Sequence, residues 1–383
     1  MKNLLKFLSP FAPDQSGASA VLFELNGIIV ICDAGGCAGN VCGFDEPRWF
    51  TQKSAIFSAG LRDMDAILGR DDRLIDKLND AVKTGKYEFT AIIGTPVPAV
   101  IGTDFKALKR MAEKKTGIPA ISIATNGADL YDDGEEMAWL ELFKTFTSDN
   151  VMPYLSDKES GNGRYAKKIG VLGATPFEIS DTDSERLLKN LKSELFSNEE
   201  VEFVCYGMGA GINEIRHSEN VERNIVIAPA AIKCAQYLKD KFGTPYQSFY
   251  PVPEEDLLKI YADVYEHLPE RVLIIHEQIY ANSLRTKLAE HLSGKSKEGN
   301  KTEIDVASFF MMNESLMEKG DFHINDEDDL IEKTLSRYGM IIVDSDCNRA
   351  LKNSGAELVN LTHFAVSGRL NQPDGINAWE RRE

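Results

Sequence analysis

Long apolar runs are missing from this 383-residue chain. None approaches the ~18–20 residues of a membrane-spanning helix, so no membrane association is expected. Cysteine is scarce: six residues are too few for a disulfide scaffold. No signal peptide is expected, because Pro10 and Pro13 interrupt the short apolar start and no small-residue cleavage site follows. A reducing, cytoplasmic setting is therefore the expectation, where thiols are structural, catalytic or metal-bound. Basic residues are also in deficit, 43 against 60 acidic, for a formal net charge of −17. That balance argues against nucleic acid or an anionic membrane as partner and favours small molecules or proteins. Walker A, G-x-S-x-G and H-E-x-x-H patterns are absent as well.

What is present is a recurring βα rhythm. Short apolar runs, continuous and not alternating, occur at Gly27–Cys32, Phe89–Ile93, Ala120–Ala124, Ile169–Leu172, Val201–Cys205, Asn224–Ile227, Arg271–His276, Ile304–Phe309, Met340–Val343 and Leu358–Asn360. Such runs suit strands buried on both faces, as in parallel sheets flanked by helices. Helical patterns fall between them, for example at Asp104–Lys115, Ala230–Phe242 and Glu254–His267. The expected fold is α/β, with three doubly wound, Rossmann-like domains and mainly parallel sheets. The polar stretch Ser156–Gly163 and the turn before Arg271 divide the chain at 1–163, 164–269 and 270–383.

The densest chemical signal is Cys32–Gly43, where three of the six cysteines sit among glycines and alanines directly after a strand. Small residues let an inorganic group approach the backbone, and thiolates are what iron–sulfur clusters need. Three small cysteines buried in a tight turn would read the same way. The C-x4-C-x4-C spacing matches no common zinc pattern. One chain offers too few thiolates for a four-ligand cluster, so a second subunit is the better source of the rest. Cys37 and Cys42 are the favoured ligands and Cys32 the third.

Other signals are weaker. Gly94–Asp104 reads as a βα loop with an N-cap at Thr103 or Asp104. Gly207–Gly211 is similar to a phosphate-cradling turn, but lacks a full dinucleotide fingerprint. His363, with Ser367 and Arg369 nearby, follows a strand and is a candidate to protonate or orient an anionic substrate. The acidic runs Asp132–Glu136 and Asp326–Asp329 read as solvated helix N-termini.

Ser16-Gly17-Ala18, Gly36-Cys37, Pro96–Asp104, Thr125-Asn126-Gly127, Phe242–Tyr246 and His363…Ser367-Gly368 occur in an order that resembles the component 1 proteins of nitrogenase and nitrogenase-like oxidoreductases. The resemblance implies three α/β domains and a dimer with itself or a related component 1 subunit. It also implies a nitrogenase reductase-like iron–sulfur ATPase as electron donor, an interface iron–sulfur cluster (4Fe-4S in type), and a small-molecule substrate bound between domains. Cys37 matches one of the family's three cluster cysteines, while the other two fall near Pro13 and at Thr95. Gly36, Gly39, Thr95 and Asn126 would then surround the cluster, with His363 and Arg369 on the substrate side. Ile227 stands where the cofactor cysteine of catalytic subunits would be, which argues against dinitrogen reduction on that cofactor. An assembly scaffold and a cluster-free binding protein are the alternatives.

Overall fold

The computed structural model describes residues 5–51, 54–62, 64–65, 69–147, 167–266, 269–293 and 302–368. Three sheets organise them. The first has the order β2-β1-β3-β4, built from β1 (Gly27–Ile31), β2 (Ala55–Ser58), β3 (Phe89–Ile93) and β4 (Ala120–Ile123). The second, in the order β6-β5-β7-β8, holds β5 (Lys167–Leu172), β6 (Val201–Cys205), β7 (Arg223–Val226) and β8 (Tyr246–Ser248). The third, in the order β11-β10-β9-β12-β13, holds β9 (Arg271–Ile275), β10 (Glu303–Ser308), β11 (Phe322–His323), β12 (Met340–Val343) and β13 (Glu357–Asn360). Every pairing among these strands is parallel, as the continuous apolar runs require.

Side chains alternate across each strand, and β1 shows what this does. Ile29 and Ile31 enter one apolar cluster with Val21, Leu22 and Trp139. Ile28, Val30 and Cys32 enter another, against Leu74, Leu78 and Leu108. The first cluster runs on through Val171 and Ile225 of the second sheet to Ile274 and Ile342 of the third, so one core joins the three layers.

Helix α1 (Asp14–Leu22) is buried along its whole length, and so are nine residues of a longer helix, Tyr131–Phe146. The two cross without side chains between them. A Cβ on Gly17 would stand 1.9 Å from the Tyr131 carbonyl oxygen, and one on Gly134 would stand 1.8 Å from that of Asp14. Only glycine permits this approach.

The start of the described chain lies against its end. Ala12 N–H donates to the Ala365 carbonyl and Ser367 N–H to that of Pro10. The N–H groups of Lys6, Phe7 and Leu8 donate to the Glu327 carboxylate. The Asp326–Asp329 run is therefore not simply solvated: Asp326 caps the following helix, but Glu327 is buried and holds three backbone amides. Asp132–Glu136 departs further from the expectation. It does open a helix, yet Asp132 and Glu135 are buried among the three sheets.

Candidate functional site

Beyond β1 the chain turns through Gly35, at φ 114°, into helix α2 (Gly36–Asn40), which continues as a π-turn over Val41–Asp45. Two carboxylates pin this segment. Asp33 accepts from Ala38 N–H at 2.8 Å and from Ser58 Oγ at 2.5 Å. Asp45 accepts from Ser16 Oγ, Asn40 Nδ2 and Ser367 Oγ, at 2.6, 2.6 and 2.7 Å. Behind it Arg48, fully buried, pairs with Glu46 and Glu24 and donates to the carbonyls of Ala20 and Gly207.

Cys37 is half-buried. Thr95 is buried and donates to the Cys32 carbonyl at 2.8 Å. Pro13 bridges to Leu130, and the next residue, Asp14, accepts from the N–H groups of Asn126 and Gly127 at 2.7 and 2.8 Å. Gly127 lies against the ring of Pro96. The segments carrying Pro13, Cys37, Thr95 and Asn126 thus meet at the C-terminal ends of β1, β3 and β4, where open α/β sheets gather functional loops. Gly94–Asp104 is not a plain loop: Pro96–Ile101 forms a short helix before Asp104 caps the next one.

Cys42 is half-buried as well. Burial and the Glu46 carboxylate push its thiol up to about 11, and burial with Asp33 raises that of Cys37. Cys32 is set apart: strand alternation puts its side chain in the core beside Ile28 and Val30, where burial and Asp71 push it up to about 12. Cys32 thus stands apart from Cys37 and Cys42 in this structure.

Open glycines and exposed apolar side chains mark this segment and its neighbours in the chain. A Cβ built on Gly35, Gly36, Gly39 or Gly43 meets nothing within 4 Å. Phe44, Phe50, Phe57, Val97 and Ile101 are exposed on the same and adjoining elements, and Val100 is 86% exposed. Among the described residues no three His, Cys, Asp or Glu side chains are placed to hold a metal ion. The segment presents two half-buried thiols, Cys37 and Cys42, beside these glycines and apolar side chains.

His363 lies elsewhere. It is buried beyond β13, its N–H donating to Asp344, with Tyr131 Oη 3.4 Å from Nε2 and the His276 ring 4.3 Å away. A cavity of about 30 Å³ lies beside it, lined by His276, Phe310, Asp344 and Val366 among others. Asn126 belongs to the Asp14 site, and Gly207 abuts Trp139. Carboxylates already occupy the glycine turn, since Gly209 N–H donates to Glu24 and Gly211 N–H to Glu214. A phosphate there would meet like charge. Arg369 lies outside the described residues.

Residues 14–296 match the family described as nitrogenase component 1 type oxidoreductase. The chain belongs to that family. Its fold matches two solved structures titled nitrogenase Cp1, at pH 6.5 and at pH 5. Their TM-scores are 0.64 and 0.61, each at 12% identity, covering 94% and 95% of this chain and 87% and 85% of the respective chains. No match is found among curated proteins.

Sequence reasoning missed one constellation in this nitrogenase component 1 type chain. Asp132, Glu135, Glu178 and Glu277 are all buried and act on one another's charge. Glu135 accepts from Thr175 Oγ1 at 2.6 Å, and Glu277 from the N–H groups of Ile279 and Tyr280. Burial pushes Asp132 up to about 6 and Glu277 up to about 8, against backbone N–H donors that oppose it at each. Burial raises Glu135 and Glu178 as well. The acidic run at 132–136 was the only trace in the sequence, and nothing linked it to Glu178 or Glu277.

Proposed function

We propose that this chain is the electron-accepting subunit of a nitrogenase-like oxidoreductase. It pairs with itself or a related component 1 chain, and Cys37 and Cys42 of each subunit hold an iron–sulfur cluster, of the 4Fe-4S type, between them. A nitrogenase reductase-like iron–sulfur ATPase supplies the electrons, and a small molecule receives them. The observation that carries this reading is the bare glycine face around two half-buried thiols, flanked by exposed Val97, Val100, Ile101 and Phe44. Such a patch is what an obligate interface covers, and a second copy supplies the thiols that one chain lacks.

When bound, the cluster would supply one-electron storage at low potential. The chain's own residues do the rest. Gly36 and Gly39 keep the backbone open beside the thiols. Thr95 holds the Cys32 carbonyl at the start of the loop, and Asn126 fixes Asp14 behind it. Asp33, Asp14 and Glu46 carry negative charge toward the two thiols, which disfavours adding electrons and so keeps a cluster potential low. His363 and Arg369 are proposed on the substrate side.

Anaerobic purification with iron and sulfide analysis and electron paramagnetic resonance tests the reading. Four irons per dimer, lost in Cys37→Ala and Cys42→Ala, are expected. A cluster-free binding protein, with both thiols structural, is the alternative. Protein without iron, or with unchanged iron in both variants, would establish that alternative. Turnover of a substrate after reduction by the ATPase separates the enzyme from an assembly scaffold.

A further inference from the structure

The buried acids have no task in that reading, and they are short of partners. Neither carboxyl oxygen of Glu178 has a hydrogen-bond partner, and one oxygen each of Glu135 and Asp132 is also without one. Arg48 is the cation whose charge reaches Glu135, and its guanidinium is committed to Glu46, Glu24 and two carbonyls. A carboxylate in such surroundings takes up a proton in preference to staying charged. The placement among the described residues does not assemble these oxygens as ligands of a metal ion.

A path leads out of the cluster. Tyr131 opens the helix that carries Asp132 and Glu135, and its ring stacks on that of Phe177, the neighbour of Glu178 in the chain. The Tyr131 hydroxyl is 3.4 Å from Nε2 of His363. His363 stacks near His276, and both line the cavity of about 30 Å³, room for one water. His276 Nδ1 is buried without a partner, as a site that water completes would leave it.

We propose, resting on the oxidoreductase reading above, that Asp132, Glu135, Glu178 and Glu277 form a proton store that discharges through Tyr131 and His363 to the water cavity beside His276. Adding two electrons across a double bond of a substrate consumes two protons, X=Y + 2 e⁻ + 2 H⁺ → HX–YH. The electrons come from the iron–sulfur ATPase. The protons come from two carboxyl O–H groups, each of which becomes a carboxylate and is recharged from solvent. The groups facing Glu178 are Tyr131, Asp132 and Glu135 from its neighbouring helix and Glu277 from beyond β9. Tyr250, Tyr280, Arg186 and Asp256 lie around them, the arginine paired to Asp181 and Glu255 and the Tyr280 hydroxyl donating to Asp256. Raised carboxyl and lowered His276 values agree with neutral, proton-bearing acids beside a neutral imidazole.

Infrared spectroscopy on the protein as purified tests this without turnover. At pH 7 the wild type should show a protonated-carboxyl C=O band that shifts in deuterium oxide. Glu178→Gln should remove one component, and Glu135→Gln, whose amide oxygen can still accept from Thr175, serves if the first variant does not fold. Tyr131→Phe and His363→Gln should keep the band but slow its exchange severalfold. Absence of the band at pH 7, or unchanged exchange in both relay variants, overturns the proposal. So does a stoichiometric divalent metal lost from Glu178→Gln, because the carboxyls would then be ligands. Iron analysis of the same samples separates the two readings. The band without iron keeps the store and sinks the electron-transfer assignment, whereas iron without the band does the reverse.

Discussion

Gly17 and Tyr131 meet backbone to backbone: a methyl group on the glycine would stand 1.9 Å from the tyrosine carbonyl oxygen. The contact is rigid on both sides, because the obstacle is main chain and not a side chain that can swing away. Gly17→Ala is therefore expected to cost about 3 kcal/mol or more, and Gly134→Ala, which would strike the Asp14 carbonyl, about as much. Thermal or urea denaturation of the two variants checks this. A change below ~0.5 kcal/mol in both would mean that the helices can part without penalty.

Cys32 and Cys37 should separate cleanly. Cys32→Ser puts a hydroxyl into the apolar layer formed by Ile28, Val30 and Leu78 and should cost about 1–3 kcal/mol while leaving iron content unchanged. Cys37→Ser, half-exposed, should cost less than ~1 kcal/mol and lose the iron. Iron analysis beside urea denaturation reads both, and the reverse pattern would exchange the roles of the two residues.

Stability should fall as pH rises through neutrality. Glu135, Glu178 and Glu277 sit above the usual carboxyl value of about 4, Glu277 at about 8 and Asp132 at about 6. Between their unfolded and folded values the native chain holds more protons than the unfolded one, so raising pH favours unfolding. Their contribution is neutral below the unfolded range and declines from there toward pH 8. Calorimetry from pH 5 to 8 should show Tm falling, with a shallower slope in Glu178→Gln. A slope unchanged by that substitution would place the titrating groups elsewhere.

The apolar face around the thiols should govern association. Val100→Asp, at a position 86% exposed, cannot harm the monomer's core, yet a charge there would disrupt an obligate interface of more than ~2,000 Å². Sedimentation should show dimer for the wild type and monomer for Val100→Asp, with unchanged circular dichroism. A wild type that sediments as a monomer refutes the shared site.

The central strands were legible because they are buried on both faces and their sequences say so. The edges were not. Ala55–Ser58, Tyr246–Ser248 and Phe322–His323 are short and partly exposed, and form by pairing with β1, β7 and β10. Helix Asp14–Leu22 escaped for the opposite reason: burial on all sides leaves no amphipathic stripe to read. Several expected strands ran one residue too far, at Cys32, Ala124, Ile227, His276 and Phe309. Ser16 and Ser367 illustrate what a family resemblance adds. Nothing in either local sequence says that they share a partner, yet both hydroxyls donate to Asp45. The acid cluster stayed hidden because a run of carboxylates ordinarily faces water, and only tertiary packing brings Glu178 and Glu277 to it.

Parallel pairing throughout the described sheets also sets the order in which this chain can be made. A hairpin closes as soon as its second strand leaves the ribosome, but none of these strand pairs is a hairpin. Strand β9 must keep its flank open after Arg271–Ile275 is synthesised until Met340–Val343 arrives to cover it, and β1 waits in the same way for Phe89–Ile93. Such long-range closures slow folding. Meanwhile the isoleucine- and valine-rich edges stand bare to any neighbour. Dilute conditions and chaperones that shield extended apolar segments should therefore raise the yield of this protein more than any change at its surface.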